Sequence, residues 1–202
     1  MKTTFVALAM AACAFAQNPP KPLKDGIYAN FKTEFGDIKA ILFEKETPHA
    51  VALFTRLAQG LQDFRDVDGK IVKKRYYDDT TFFRIVPEDA VQAGSRDGTP
   101  TYNCGLKIKD EMLPGIKFRA GSLAIANPGQ ADSGGCQFFF AVEAKSTWDM
   151  KYTIFGQVVE GLDVVYKLNS VPVHGERPVN PPKLISVTIE RVGPPLAQKP
   201  KK

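Results

Sequence analysis

Seven polar or aromatic side chains that could bind a ligand lie in or beside apolar, strand-like segments of the chain. They are Arg84, Gln92, Asn127, Gln137, Phe82, Phe139 and Trp148. An arginine seldom sits in an apolar strand without a partner or a task, because burying an unpaired charge is costly. The guanidinium of Arg84 is always charged and holds several donors in a rigid fork, so it suits hydrogen bonding to a bound molecule. The aromatic residues, taken alone, are typical of a hydrophobic core.

Three common kinds of reactive site are not indicated by the sequence. The two histidines, His49 and His174, have no neighbours that look like metal ligands. The segment NPGQADSGGCQ contains glycines but lacks the lysine and the following helix of a phosphate-binding loop. A nucleophile elbow for Ser-His-Asp hydrolysis is also missing.

Many short strands separated by turn residues must position these side chains. Ile38, Ala40 and Leu42 recur at period 2, which predicts a strand with one buried face. The turn Asp68-Gly69 predicts a small hairpin or surface excursion within residues 61–75. Further strand-like runs cover residues 81–86, 90–93, 122–126, 137–142 and 153–159, and the last strand reads LISVTIERV.

Two segments show helical spacing. Thr47 and Pro48 supply an N-cap and a proline at the first helical position, and the apolar pattern continues to Gly60. The second short helix fits GLDVVYKL. Many strands and only two helices favour a closed or nearly closed antiparallel β structure.

The chain divides into one domain with distinct ends. Residues 1–16 contain Lys2, an apolar run and the small-residue site Ala14-Phe15-Ala16, which together predict a secretory signal peptide. Residues 17–25 form a Pro-rich linker, residues 26–193 the domain, and residues 194–202 a flexible basic tail. The apolar run is too short to remain in a bilayer and no later segment approaches 18 apolar residues, so we expect an exported, periplasmic or secreted protein without stable membrane insertion.

An alternative reading places a lipid anchor on Cys13, within Met10-Ala11-Ala12-Cys13. The Ala-x-Ala site fits better, because methionine is a poor residue three positions before a lipidated cysteine. If Cys13 leaves with the signal peptide, Cys104 and Cys136 remain, and either one disulfide or two free thiols is compatible with that count.

The surface charge does not indicate nucleic-acid binding. The formal net charge is +5, and removing residues 1–16 takes away one lysine and no acid, which leaves +4. The basic residues are scattered, apart from residues 73–75 and 199–202. We therefore expect no nucleic-acid partner.

Several motifs together resemble the cyclophilin peptidyl-prolyl cis-trans isomerases. They are YYDDTTFFRIVP, VQAG, GSLAIANPG, GGCQFFFAV, KYTIFGQVVEGLDVV and RPVNPPKLISVTIE, and the resemblance covers residues 29–192 in unbroken order. It implies a mostly β fold, a closed eight-stranded antiparallel β-barrel capped by two α-helices. It also implies a substrate groove on the outer face of the sheet and catalysis without a metal or other cofactor.

The resemblance assigns roles to particular residues. Arg84 matches the catalytic arginine, and Gln92 matches the glutamine that helps to hold it. The implied substrate-binding residues are Phe82, Ala90, Ala126, Asn127, Gln137, Phe139, Trp148, Met150 and Tyr152. The resemblance also places Cys104 and Cys136 near the side pocket that flanks the proline site, which favours a disulfide between them.

The chain departs from the family pattern at the apolar floor of the proline pocket. Asp89 and Ala90 stand where the family usually has phenylalanine and methionine. The segment after Trp148 is one residue shorter, which leaves Asp149 or Met150 in place of the usual leucine. A wider, shallower and wetter pocket follows from these changes.

Two functional hypotheses remain. The first is a monomeric prolyl isomerase that assists the folding of exported proteins and acts on proline-containing polypeptides. The second is a cyclophilin-like peptide-binding module or chaperone with weak or no isomerase activity.

Overall fold

The computed structural model describes residues 23–195. The predicted signal peptide, the alternative anchor at Cys13, and most of the predicted linker and basic tail lie outside these residues. Between residues 23 and 195, no helix is long and apolar enough to cross a membrane.

Across the described residues, the chain forms thirteen strands, two α-helices and one 3-10 helix. The strands are β1 (Gly26–Thr33), β2 (Gly36–Leu42), β3 (Asp63–Arg65), β4 (Ile71–Lys73), β5 (Thr80–Thr81), β6 (Arg84–Val86), β7 (Ala90–Ala93), β8 (Ser122–Ile125), β9 (Phe138–Ala141), β10 (Ile154–Glu160), β11 (Val173–His174), β12 (Arg177–Pro178) and β13 (Lys183–Val192). The helices are α1 (Pro48–Gln59), α2 (Leu162–Asn169) and the 3-10 helix Ser146–Trp148.

The main sheet corrects the prediction of a closed eight-stranded barrel. It has nine antiparallel strands in the order β5-β13-β1-β2-β10-β8-β9-β7-β6, and it curls without closing its hydrogen-bond ladder. Both edge strands come from one segment, residues 80–86, which is interrupted at Phe82 and Phe83. The N–H of Phe82 donates to Pro182 O (2.9 Å) and that of Ile85 to Glu176 O (2.8 Å), so loops take the bonds that a closing strand would make.

An aromatic core fills the inside of the curled sheet. Phe54 from α1 lies 5.0–5.9 Å, between ring centroids, from four other rings. These are the rings of Phe31, Tyr77, Phe138 and Phe155. Aromatic side chains of this size bury the most apolar area per residue, so α1 is fixed to the sheet largely through Phe54.

Helix α1 begins and ends where the sequence predicts, but a different residue caps it. Gly60 adopts the left-handed conformation (φ 72°) that ends the helix. The Thr47 side chain makes no capping bond and donates instead to Phe43 O (3.2 Å). The carboxylate of Glu111 accepts the N–H groups of His49 (3.0 Å) and Ala50 (2.9 Å), so the cap comes from a segment distant in sequence.

The predicted hairpin is confirmed, with β3 and β4 forming a separate two-stranded sheet. Asp66 anchors it, because its carboxylate accepts from Lys74 Nζ (2.5 Å) and Arg96 Nε (2.8 Å). Arg96 also donates to Tyr76 O (2.8 Å). This network ties the hairpin to the chain that follows β7.

The free energy of unfolding is expected to fall in acid because the Asp66 carboxylate becomes protonated. Burial by itself would raise the pKa of this carboxyl, but the hydrogen bonds from Lys74 and Arg96 outweigh it and lower the pKa to about 2. A lowered pKa in the folded state means that the stabilisation is complete above about pH 4 and is lost as the pH falls through about 2. The side chain is 11% exposed, and the expected loss in the free energy of unfolding is about 2 kcal/mol.

The measurement is urea unfolding between pH 2 and pH 6 for the native chain and Asp66→Asn. The variant should be less stable at pH 6 and show a shallower fall below pH 4. Asp37→Asn, which neutralises an exposed carboxylate on β2, should retain the native acid dependence. An unchanged acid dependence in Asp66→Asn would contradict the assignment.

Candidate active site

The register of the sheet places five residues in one row on its outer face. Arg84 on β6 pairs with Gln92 on β7, which pairs with Phe139 on β9. Phe139 pairs with Ala124 on β8, and Ala124 with Ile154 on β10. Directly opposed residues of antiparallel strands point to the same face. With strands about 4.8 Å apart, the polar end of the row lies about 10 Å from Phe139, near enough for one bound residue to reach both.

The polar end of the row is a chain of hydrogen bonds around Arg84. Arg84 Nε donates to Glu176 Oε2 (2.6 Å) and Arg84 Nη1 to Gln92 Oε1 (2.9 Å). Gln92 Nε2 donates to Gln137 Oε1 (2.8 Å), and Gln137 Nε2 to Tyr102 O (3.0 Å). The guanidinium is therefore fixed on two edges, and its Nη2 group has no partner among residues 23–195.

These contacts orient Arg84 more than they stabilise the fold. Arg84 and Glu176 are both partly exposed, and exposed ion pairs contribute about 0–1 kcal/mol. Gln92, by contrast, is only 7% exposed, so its hydrogen bonds to Arg84 and Gln137 are sheltered from water. The result is a fixed donor group beside the apolar half of the row.

The apolar half is an aromatic cluster, a term used here for Phe118, Phe139, Trp148 and Tyr152. Every pair of these rings has centroids 5.2–6.2 Å apart. The small buried residues Ala90, Ala124 and Ala141 and the side chain of Ile154 pack in the same group. Small residues in the strands beneath leave room for these rings on the outer face of the sheet.

Two sequence-predicted binding residues lie outside the aromatic cluster. Phe82 is fully buried in the main core, because the strand is interrupted at Phe82 and Phe83 and regular alternation with Arg84 is lost. Met150 is 46% exposed and has a positive φ of 60°, and it lines a small pocket with Tyr152 and Ile154 at the margin of the aromatic cluster. The structure therefore places Phe82 in the core and Met150 at the exposed margin of the site.

The remaining predicted residues border the site. Ala126 N–H donates to Gln137 O (2.9 Å), which joins the end of β8 to the start of β9. Asn127 uses its side chain to shape its loop, since Nδ2 donates to Lys151 O (3.0 Å) and Oδ1 accepts from Gly129 N–H (3.0 Å). At the altered floor, Asp89 forms an ion pair with Lys145, which also lies 5.9 Å above the Trp148 ring.

A disulfide joins Cys104 and Cys136 directly beside the polar end of the site, with Cα atoms 6.4 Å apart. It holds the loop at residues 100–105 against the start of β9. The loop carbonyls of Pro100 and Tyr102 both accept from Gln137 Nε2, at 3.3 Å and 3.0 Å. The disulfide thereby supports the hydrogen-bond chain that ends on Gln137. Within residues 23–195, no cluster of His, Cys, Asp or Glu could hold a metal ion.

A family model for "Cyclophilin type peptidyl-prolyl cis-trans isomerase/CLD" matches residues 28–189. The chain belongs to the cyclophilin-type peptidyl-prolyl cis-trans isomerase family. A relative within this family is peptidyl-prolyl cis-trans isomerase A of Mycobacterium tuberculosis, 33% identical over 185 residues that cover 89% of this chain and 100% of the relative.

The chain is also similar to a spliceosome-associated protein and to a cyclophilin-type isomerase of known structure. A spliceosome-associated protein CWC27 homolog of Danio rerio is 37% identical over 183 residues, which cover 87% of this chain. The chain spans about a third (34%) of that protein's length. A Cryptosporidium parvum cyclophilin-type isomerase, crystallised in the presence of dipeptide Ala-Pro, superposes with a TM-score of 0.70 over 82% of this chain and 99% of the other. Its identity is 24%, so this likeness shows the cyclophilin fold.

Sequence reasoning missed two residues of this cyclophilin site, Glu176 and Phe118. Arg84 needed an acidic partner, but the chain has 22 acidic residues and no local pattern singles out one that lies 92 positions away. Phe118 lies outside every predicted strand, and only the fold brings its ring to 5.9 Å from that of Phe139.

Proposed function

We propose that this cyclophilin-type protein accelerates cis-trans rotation of X-Pro bonds in polypeptides. Amide resonance sets a barrier of roughly 18–20 kcal/mol, and uncatalysed exchange takes tens to hundreds of seconds. A catalyst needs only to bind the twisted amide better than either planar form. Twisting restores the lone pair of the prolyl nitrogen, which can then accept a hydrogen bond.

Arg84 is the donor in this mechanism, and its fixed guanidinium is the observation that carries the proposal. Glu176 and Gln92 hold Nε and Nη1, while Nη2 is left for a substrate. A donor aimed in advance at the developing lone pair costs no reorganisation during the reaction. The aromatic cluster offers an apolar surface for the prolyl ring in the same row of the sheet.

We further propose exported proteins as the clients, at an oxidising location outside the cytosol. The leader-like residues 1–16 support this location, and so does the disulfide between Cys104 and Cys136. Disulfides persist in secreted and periplasmic proteins and are rare in the cytosol.

One observation favours the second hypothesis, a peptide-binding module with weak activity. Phe139, the expected wall of the proline pocket, is only 5% exposed. Little of its ring is open to a substrate in this structure, and a site that binds proline poorly would also catalyse poorly.

The test is NMR exchange spectroscopy on an Ala-Pro peptide with the protein at substoichiometric concentration. An isomerase brings cis and trans signals into exchange within a second or less, far faster than the free peptide. Shifted peptide signals without faster exchange would support the binding module. If the protein neither shifts the signals nor speeds their exchange, both hypotheses are contradicted.

Removing the carboxylate of Glu176 is expected to lower isomerase activity severalfold. In Glu176→Ala, the Arg84 guanidinium loses the partner of Nε and is held by Gln92 alone. A hydrogen bond to a charged group contributes about 1.5–3 kcal/mol, and partial exposure reduces this to a loss of about three- to tenfold in kcat/KM. Glu176→Gln, which keeps an acceptor, should retain more activity.

A protease-coupled assay of kcat and KM separates this positioning role from a structural one. The matched control is Glu190→Gln, which removes a carboxylate paired with Lys39 on another part of the sheet, and native kinetics are expected there. Higher activity in Glu176→Ala would show instead that Glu176 competes with substrate for Arg84.

A further inference from the structure

The apolar half of the site is almost closed to solvent. Phe139 is 5% exposed and Phe118 only 3%. The two rings are nearly parallel, with an interplanar angle of 11°. A prolyl ring can make its full apolar contact only where it displaces water from exposed surface. With Phe118 in this position, Phe139 offers the prolyl ring almost no exposed surface.

Phe118 is held by few interactions on its own segment. It lies in residues 106–121, which form no helix or strand. Its N–H donates to Asp149 Oδ1 (2.9 Å), and the neighbouring Arg119 N–H donates to Ser122 Oγ (3.0 Å). The backbone at Phe118 is thus anchored, while the ring is held by packing alone.

An adjacent cavity of about 400 Å³ borders the same side chain. Apolar side chains in its lining are Phe43, Ile116, Phe118 and Ile154. Cavities of about 300–1,000 Å³ accommodate whole small molecules, so a single phenyl ring fits this one. Polar and charged residues, Glu46, Lys117, Arg119, Ser122 and Gln157, complete the lining. Phe118 therefore stands between a closed apolar site and an open space with an apolar side.

We propose that Phe118 gates access of the prolyl ring to Phe139. A rotation of the Phe118 side chain about its χ1 bond moves the ring from Phe139 into the adjacent cavity, where Phe43 and Ile116 cover it. In the cavity the ring contacts Phe43 and Ile116, so the open state retains part of the apolar packing of the closed one. Phe118 then determines how tightly, and for which peptides, the site accepts proline.

This inference rests on the proposed function for its ligand, but binding can test it separately from catalysis. Trp148 is the single tryptophan of the chain, and its ring lies 5.7 Å from Phe118. Its fluorescence therefore reports titration with an Ala-Pro peptide. If the open state is populated at about 10%, the apparent dissociation constant is about ten times the intrinsic one.

Phe118→Ala is expected to bind the Ala-Pro peptide about tenfold more tightly than the native chain, because the gate is removed. Phe118→Leu keeps more of the packing and serves as the test variant if Phe118→Ala does not fold. It should give a smaller gain in affinity. Weaker binding by both variants would overturn the proposal, because Phe118 would then be a wall of the site.

A second variant fills the cavity that the Phe118 ring would enter, while Phe118 itself is not replaced. Ile116→Trp fills the cavity and should weaken binding about tenfold, while the aromatic cluster remains intact. Lys109→Trp is the control, since Lys109 is exposed on the same segment and lines neither that cavity nor the small pocket beside Tyr152, and native affinity is expected. Equal affinity of Ile116→Trp and the native chain would overturn the gate.

The two proposals fail in different ways. Tighter peptide binding by Phe118→Ala in a protein without isomerase activity would support the gate and contradict catalysis. Catalysis by the native chain with unchanged binding in Phe118→Ala would support catalysis and contradict the gate. New NMR cross-peaks between the Phe118 and Phe43 rings on adding peptide would show the ring in the cavity.

Discussion

Replacing Arg84 with lysine is expected to lower kcat/KM for Ala-Pro isomerisation by about 100- to 1,000-fold. Removing one preorganised donor from a developing charge typically costs this much. Lysine keeps the positive charge, but its ammonium is a single point and cannot bind Glu176 and Gln92 while a third donor remains in place for the prolyl nitrogen. The charge alone is therefore insufficient.

A protease-coupled assay, confirmed by NMR exchange, measures the effect. Peptide affinity from Trp148 fluorescence should change much less than the rate, because Arg84 acts mainly on the twisted amide. Arg191→Lys is the control, since Arg191 also pairs with a carboxylate, Glu44 (2.8 Å), on a remote part of the sheet. Activity of Arg84→Lys within threefold of the native value would contradict the proposed role of the guanidinium.

Replacing Phe54 with alanine is expected to lower the free energy of unfolding by about 3–5 kcal/mol, the usual cost of removing a buried phenylalanine. Phe54 is the contact through which α1 meets the aromatic core, and four rings surround it. The loss has two parts: the apolar contact of the removed phenyl ring, and the cavity that the surrounding rings cannot fill. It is a large part of the 5–15 kcal/mol that stabilises a typical domain.

Urea unfolding followed by far-ultraviolet circular dichroism gives this value. Leu61→Ala removes an exposed apolar side chain just beyond the same helix and should change stability by less than 0.5 kcal/mol, as surface substitutions usually do. A loss below about 1 kcal/mol in Phe54→Ala would show that α1 is fixed by other contacts.

Local patterns in the sequence determined several of the elements and the family. Period-2 spacing located β2, the proline and glycine around α1 set its ends, and Asp68-Gly69 marked the hairpin. These features depend on residues close together in the chain, so they can be read without knowing the fold. The cyclophilin motifs depend on the same short-range order, which is why the family was recognisable from sequence.

Only the tertiary structure decided how the site is assembled. Strand register brings Arg84, Gln92 and Phe139 into one row, and a shift of one residue would have placed a strand's side chains on the opposite face. The two edge strands do not pair with each other because the strand at residues 80–86 is interrupted, a local detail that the barrel expectation did not include. Glu111 caps α1 and Glu176 orients Arg84 from 62 and 92 positions away.

Phe118 shows most clearly the difference between what the sequence predicts and what the tertiary structure decides. The resemblance predicted an altered pocket floor at Asp89 and Ala90, with Asp149 or Met150 in place of the usual leucine. The fold leaves Met150 partly exposed and brings Phe118, from a segment without regular structure, against Phe139. Residue types and short spacings determine which groups a chain carries, but long-range packing determines which of them meet, because that packing minimises free energy over the whole chain.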